Sequence, residues 1–295
     1  MPFAGQGDSN DRKRNYMSSI PGYTASLGIW IVPVIGMSIF FYRKKLLSPE
    51  KSWALFIAVS IAALVGIGLD LLFARSFFTF PNHTAVCGFS VNGIPVEEFL
   101  FYLFGDWFIL FFYVFCDEWL LSRYNIDDTI YVRYRSRLSK LLYFHRKSMM
   151  IAFALLIAGF IIKRMMNPAG EPVPGYFYFL VIGAFLPSFL FWRVTRRYVN
   201  WRAFLFVMVT TLLVSVIWEV TLALPCGWWG YRHGSMLGIF IEPWSELPIE
   251  AVMMWLASGA AILIYEFVKI RFFTPHPSLP AYQFLIRNGY DWREK

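Results

Sequence analysis

Apolar residues run through this chain in blocks too long for a soluble core and too regular for a disordered one. Seven runs stand out: Tyr23–Tyr42, Trp53–Phe73, Val96–Phe115, Ser148–Ile162, Tyr176–Trp192, Ala203–Ala223 and Pro248–Phe267. Most approach the roughly 20 residues that carry a helix across a bilayer. The fourth is short, and it crosses only if Arg146, Lys147, Lys163 and Arg164 snorkel or the helix extends into its flanks. The pattern predicts an all-α, polytopic membrane protein with seven transmembrane helices. Composition agrees, with 58% hydrophobic and only 16% charged residues among 295. Lipid bilayer is therefore the first expected partner.

Charge sets the topology. The 27 Lys and Arg lie mostly in the connections after the first, third and fifth spans and in the C-terminal tail. By the positive-inside rule these sides are cytoplasmic, which puts the N-terminus outside and supports the fourth span, since dropping it would move Arg193, Arg196, Arg197 and Arg202 to the wrong face. The net charge of +8 is thus topological and implies no nucleic-acid partner. Residues 1–22 read as a polar tail ahead of a retained first helix. The basic connection with Asp127 and Asp128 reads as a cytoplasmic loop touching anionic headgroups, and residues 271–295 as a short cytosolic tail.

Against this background, acids at membrane thresholds carry the chemical signal, because an ionisable group at membrane depth is a functional-site hypothesis by default. Gly93-Ile94-Pro95-Val96-Glu97-Glu98-Phe99 opens the third span, and Glu246-Leu247-Pro248-Ile249-Glu250-Ala251 opens the seventh. Asp70 precedes the first motif and Glu219 the second. Aromatic, partly glycine-containing loops lie between the members of each pair, Ser76-Phe77-Phe78-Thr79-Phe80-Pro81 and Gly227-Trp228-Trp229-Gly230-Tyr231. The chain thus reads as two parallel three-helix repeats, residues 23–116 and 176–270, joined by a basic loop and a linker helix over 117–175.

Proline at the first helical position followed by glutamate also makes a good helix start, since the ring presets φ and the carboxylate faces the positive end of the macrodipole. Recurrence of the motif, the upstream acids and the second glutamate favour chemistry. Glu97 shares a stripe with Phe101, Phe104 and Phe108, whereas Glu98 shares one with Tyr102 and Asp106, so the adjacent acids face different surroundings. Glu97 and Glu250, as repeat partners, are the expected proton-handling pair. Glu98, Asp70 and Glu219 are supporting acids, with pairing of Asp70 or Glu219 to Arg75 or Arg232 as the alternative. Phe101, Trp229 and Tyr231 are candidate cation-stabilising walls.

Other chemistries find no foothold. Cys87, Cys116 and Cys226 have neither metal-ligand spacing nor an even count. His83, His145, His233 and His276 are scattered, and Gly66-Ile67-Gly68 lacks the strand and third glycine of a dinucleotide site. No metal or cofactor is expected. A retinal-type lysine would stand mid-span in the last helix, but Lys269 is at its end. Acids beside aromatic faces are the parts for protonating an alkene, stabilising a carbocation and removing a proton elsewhere.

These residues resemble the integral-membrane lycopene cyclases, carotenoid cyclases built as two small subunits or one fused chain of homologous three-helix units. The resemblance spans about residues 20–270 and rests on Pro95-Val96-Glu97-Glu98-Phe99-Leu100-Phe101, Pro248-Ile249-Glu250, Asp70, Glu219 and Trp228-Trp229-Gly230-Tyr231. It implies cofactor-free cyclisation of the linear end of lycopene or a related carotene, a long apolar polyene. Two positions depart from the family pattern: Ala251 stands where a second glutamate is common, and Glu219 where an aspartate is expected. Another polyprenoid substrate, or a non-catalytic seven-helix pigment-binding or transport protein, are the competing readings.

Overall fold

A computed structural model of the chain describes residues 21–126, 146–167 and 173–270. The expectations for residues 1–20, for Asp127, Asp128 and His145 in the basic loop, and for the tail from Thr274 lie outside these residues. Among the described residues, seven helices are long and apolar enough to cross a membrane: α1 Gly22–Lys44, α2 Pro49–Phe77, α3 Val96–Leu120, α4 Arg146–Met166, α5 Gly175–Arg193, α6 Trp201–Ala223 and α7 Ile249–Val268. The multi-pass reading holds on length and composition. The fourth span is longer than its apolar run, because α4 continues through Lys147 at one end and Lys163-Arg164 at the other.

Local chemistry accounts for the ends. Ser48 caps α2, its hydroxyl accepting from Lys51 N at 3.3 Å with Pro49 behind it. Asn200 caps α6 by accepting from Ala203 N at 3.2 Å. Five-residue π turns occur over Cys116–Leu120 in α3, Val181–Phe185 in α5 and Glu219–Ala223 at the end of α6. The last of these carries an acid singled out by the sequence, as π-bulges at functional sites often do.

Short strands organise the loops at the acid-bearing end. After α2, β1 (Phe78–Thr79) pairs antiparallel with β4 (Gly230–Tyr231) from the loop after α6. Hairpin β2–β3 (Ser90–Val91 with Ile94–Pro95) leads into α3, and β5–β6 (Phe240–Ile241 with Leu247–Pro248) leads into α7. The first hairpin turns at Asn92 and Gly93, both with positive φ (52° and 75°), the conformation a tight hairpin needs. Each hairpin ends on the proline that starts the following helix.

Packing between helices in lipid relies on shape, since hydrocarbon competes equally for apolar surface. Here aromatic rings supply it. Trp30 stacks on Trp255 with centroids 5.6 Å apart and planes at 11°, and Trp218 stacks on Phe101 at 5.3 Å. Each such pair contributes about 0.5–1.5 kcal/mol beyond area burial. Gly66 admits Tyr102, whose ring would lie 3.2 Å from an added Cβ. The outward faces stay apolar, with Leu64, Leu72, Leu205 and Ile217 all exposed, as a lipid-facing belt requires.

Candidate functional site

All five acids of the sequence motifs are buried, but they divide into two groups by what they touch. Glu97 and Glu250 hold loops. Glu97 Oε1 accepts from the Cys87 amide at 2.6 Å and from Thr24 Oγ1 at 2.5 Å, while Glu250 Oε1 accepts from the Leu237 amide at 2.5 Å. Each thus ties the first turn of a helix to the loop just before its hairpin, satisfying a buried N–H that would otherwise be costly. Leu237 is held from a second direction: Lys163 of α4, fully buried, donates to Gly234 O at 2.8 Å and Met236 O at 2.5 Å. Neither Glu97 nor Glu250 lines the cavity described next, so the structure does not bring the expected pair together around a substrate site.

Glu98 and Glu219 do line it. A small chamber of about 70 Å³ is walled by Glu98, Phe101, Tyr102 and Asp106 of α3, by Trp218 and Glu219 of α6, by Trp229 and Tyr231, and by Ala251 and Trp255 of α7. Tyr23 donates to Glu98 Oε2 at 2.6 Å. Trp229 Nε1 donates to Glu219 Oε1 at 3.2 Å, and Tyr231 donates to the same oxygen. Burial first, and then the neighbouring Glu219 charge, hold the Tyr231 hydroxyl well above the usual tyrosine range, so it stays a neutral donor. Phe101, Trp229 and Tyr231 therefore all face the chamber, and Glu98 lies within electrostatic reach of both Asp70 and Glu219.

The chamber adjoins a much larger cleft of about 590 Å³ between α2, α3, α5 and α7, the two sharing Phe78, Tyr102, Asp106, Tyr176, Met254 and Ser258. Asp70 is in the wall of this cleft, where Tyr102 donates to its Oδ1 at 3.2 Å and its Oδ2 has no hydrogen-bond partner among the described residues. The rest is almost wholly apolar. Along α2 alone the lining runs from Ile57 to Phe77, and at 1.5 Å per residue that is about 30 Å, a full hydrocarbon thickness. Neither Asp70 nor Glu219 pairs with Arg75 or Arg232; both arginines lie outside, on the loop face.

Sequence reasoning missed several participants. Tyr23, Tyr176, Trp218 and Trp255 carried no signal beyond being aromatic, although Tyr102 and Asp106 were visible as the helical continuation of Glu98. A second polar cluster lies at the opposite end of the bundle. Tyr113 donates to Glu266 Oε1 at 2.9 Å, Lys269 pairs with Glu266 at 3.0 Å, and Asn200 Nδ2 donates to Asp117 Oδ1 at 2.9 Å. Its legible signal was the spacing of Tyr113 with Asp117 and of Glu266 with Lys269, one helical turn apart.

The arrangement is able to present a carboxyl group to an apolar guest while aromatic faces surround the point of contact. Comparison with known protein families, characterised proteins and solved structures finds no match for this chain. The site's chemistry must therefore be read from its own residues.

Proposed function

We propose that the protein is a carotenoid cyclase of the lycopene cyclase type, an intramolecular lyase or isomerase that closes a ring at the end of a linear polyene without a cofactor. The observation that carries this reading is the acid-lined chamber adjoining an apolar cleft about as long as the membrane is thick. A rod-like hydrocarbon suits the cleft. An end group reaching the chamber meets Glu98 and Glu219 among the rings of Phe101, Trp218, Trp229 and Tyr231, with Asp70 in the wall of the adjoining cleft.

In this reading a protonated carboxyl, Glu98 or its neighbour Asp70, gives its proton to the terminal double bond. The tertiary cation that forms is attacked by the next alkene of the same chain, closing the ring. The ring cation then loses a proton to a carboxylate, so atoms balance and the product is an isomer of the substrate. The indole and phenyl faces stabilise the cation through their quadrupoles, and Glu219, held by Tyr231 and Trp229, is the carboxylate opposite it. Exclusion of water protects the cation from capture.

The helix contacts support the duplicated architecture. α3 packs on α1 and α2 as α7 packs on α5 and α6, and the cross-contacts of α2 with α7 and of α6 with α3 exchange under the same two-fold operation. The antiparallel pairing of β1 with β4 also fits an axis along the membrane normal. In this duplication Ala251 is the counterpart of Glu98, and Trp30, Trp218, Trp228 and Trp229 pack in one buried cluster. One cleft then serves one end of the substrate at a time. By the positive-inside rule the acid-bearing end faces away from the cytoplasm.

Production of the protein in a lycopene-accumulating host, with chromatography of the pigments, tests the proposal. Monocyclic or bicyclic carotenes are expected; unchanged lycopene beside folded, membrane-inserted protein overturns it. The cleft alone would suit a carrier of an apolar pigment, and pigment that co-purifies unchanged would favour that reading.

A further inference from the structure

Independently of what the cleft holds, we propose that Arg75 and Arg232 form a binding site for the phosphate of a phospholipid headgroup on the loop face of the bundle. The two side chains line one polar depression with Ser76, Gly234 and Ser235. They come from opposite halves of the sequence, Arg75 from the last turn of α2 and Arg232 from the residue after β4. The seam between them is stiff: Arg232 N donates to Phe77 O at 2.8 Å, Ser235 Oγ donates to Ser76 O at 2.8 Å, and β1 pairs with β4 alongside. Both guanidinium groups are therefore set on a common, preorganised base.

Their charges have no internal counterpart. Arg75 Nη1 donates to Asn92 Oδ1 and Arg232 Nε to Phe78 O, each at 3.4 Å. Both acceptors are neutral and both bonds are long, and among the described residues no carboxylate forms an ion pair with either arginine. A guanidinium offers five N–H donors, so most remain for a ligand. Two like charges in one depression repel, and an anion shared between them reverses the sign of that interaction; phosphate matches the fork geometry.

Depth identifies the source of the phosphate. Leu72 and Phe73, just before Arg75 on α2, are 73% and 43% exposed on the lipid-facing belt. Arg75 stands about one turn, roughly 5 Å, beyond Leu72. That is the level of headgroups, where long basic side chains settle. The acid-bearing end carries few basic residues, so this convergence is selective and not part of a general positive surface.

The test uses the full-length protein in detergent, with native mass spectrometry of bound lipid during titration with phosphatidylglycerol, phosphatidylcholine or inorganic phosphate. The wild type is expected to retain one phosphatidylglycerol in preference to phosphatidylcholine. Arg75→Gln and Arg232→Gln should each weaken that binding roughly fivefold, and the double variant by the product. Arg43→Gln with Lys44→Gln, at the other end of the bundle, should leave it unchanged. Undiminished binding in the double glutamine variant overturns the proposal, as does inorganic phosphate competing on equal terms with the lipid. Should the glutamine variants not fold, Arg75→Lys with Arg232→Lys keeps both charges and must keep the preference for the anionic lipid; a folded lysine variant without it is equally fatal.

Discussion

Tyr23 reaches across from the first turn of α1 to donate a 2.6 Å hydrogen bond to Glu98, the second of the two adjacent glutamates at the start of α3. A single residue step separates the two sets of contacts: Thr24, the next residue of α1, bonds Glu97 on the loop side. Adjacent acids on a helix point about 100° apart, so neighbouring residues of one helix can serve the chamber and the scaffold separately.

The first prediction uses that division. Glu98→Gln removes the transferable proton while keeping shape, and should abolish ring formation with normal membrane accumulation. Glu97→Gln still offers an oxygen to Cys87 N and Thr24, and should retain most activity. Pigment chromatography of the two variants decides; an inactive, folded Glu97→Gln beside an active Glu98→Gln would reverse the assignment.

Loss of the loop anchor should read out as instability. Glu97→Ala leaves the Cys87 amide without its acceptor, and Glu250→Ala does the same to Leu237. A cost of about 1–3 kcal/mol each is expected, measured as a fall in the thermal unfolding midpoint in detergent.

Tyr102→Phe removes the one donor that Asp70 Oδ1 has among the described residues. If Asp70 orients or relays the proton, conversion should fall about tenfold with little change in stability, as expected for the loss of one hydrogen bond of about 1 kcal/mol or somewhat more. Turnover measured in membranes checks it, and an unaltered rate would remove Asp70 from the mechanism.

Bulk in the cleft should block the substrate without touching the acids. Ala184 lines the cleft on α5, and Ala184→Trp is expected to stop conversion while the protein inserts and melts normally. Retained turnover would show that the substrate reaches the chamber by another route.

The cluster at the far end predicts a non-additive pair. Glu266 and Lys269 are buried and ion-paired. Lys269→Met alone should cost about 3–5 kcal/mol by removing the cation paired with buried Glu266, Glu266→Leu alone should cost less, and the double variant should recover part of the Lys269→Met loss. Unfolding midpoints of the four proteins complete the cycle.

The spans were legible in the sequence because a bilayer imposes a one-dimensional rule: each crossing needs its own apolar length, whatever its neighbours do. Glu98, Asp70 and Glu219 were legible as ionisable groups in segments that otherwise prefer hydrocarbon. Which acid faces a cavity was not, because that depends on the rotation of α3 against α1, α6 and α7, and rotation is set by contacts between residues far apart in the chain. Tyr23 and Trp218 were silent for the same reason, one aromatic among many until packing brought each beside an acid. The recurrence of the Pro-x-Glu motif suggested Glu97 and Glu250 as reacting partners. Their shared surroundings are two loops, each held through an amide by one of these carboxylates, a placement that only the tertiary structure shows.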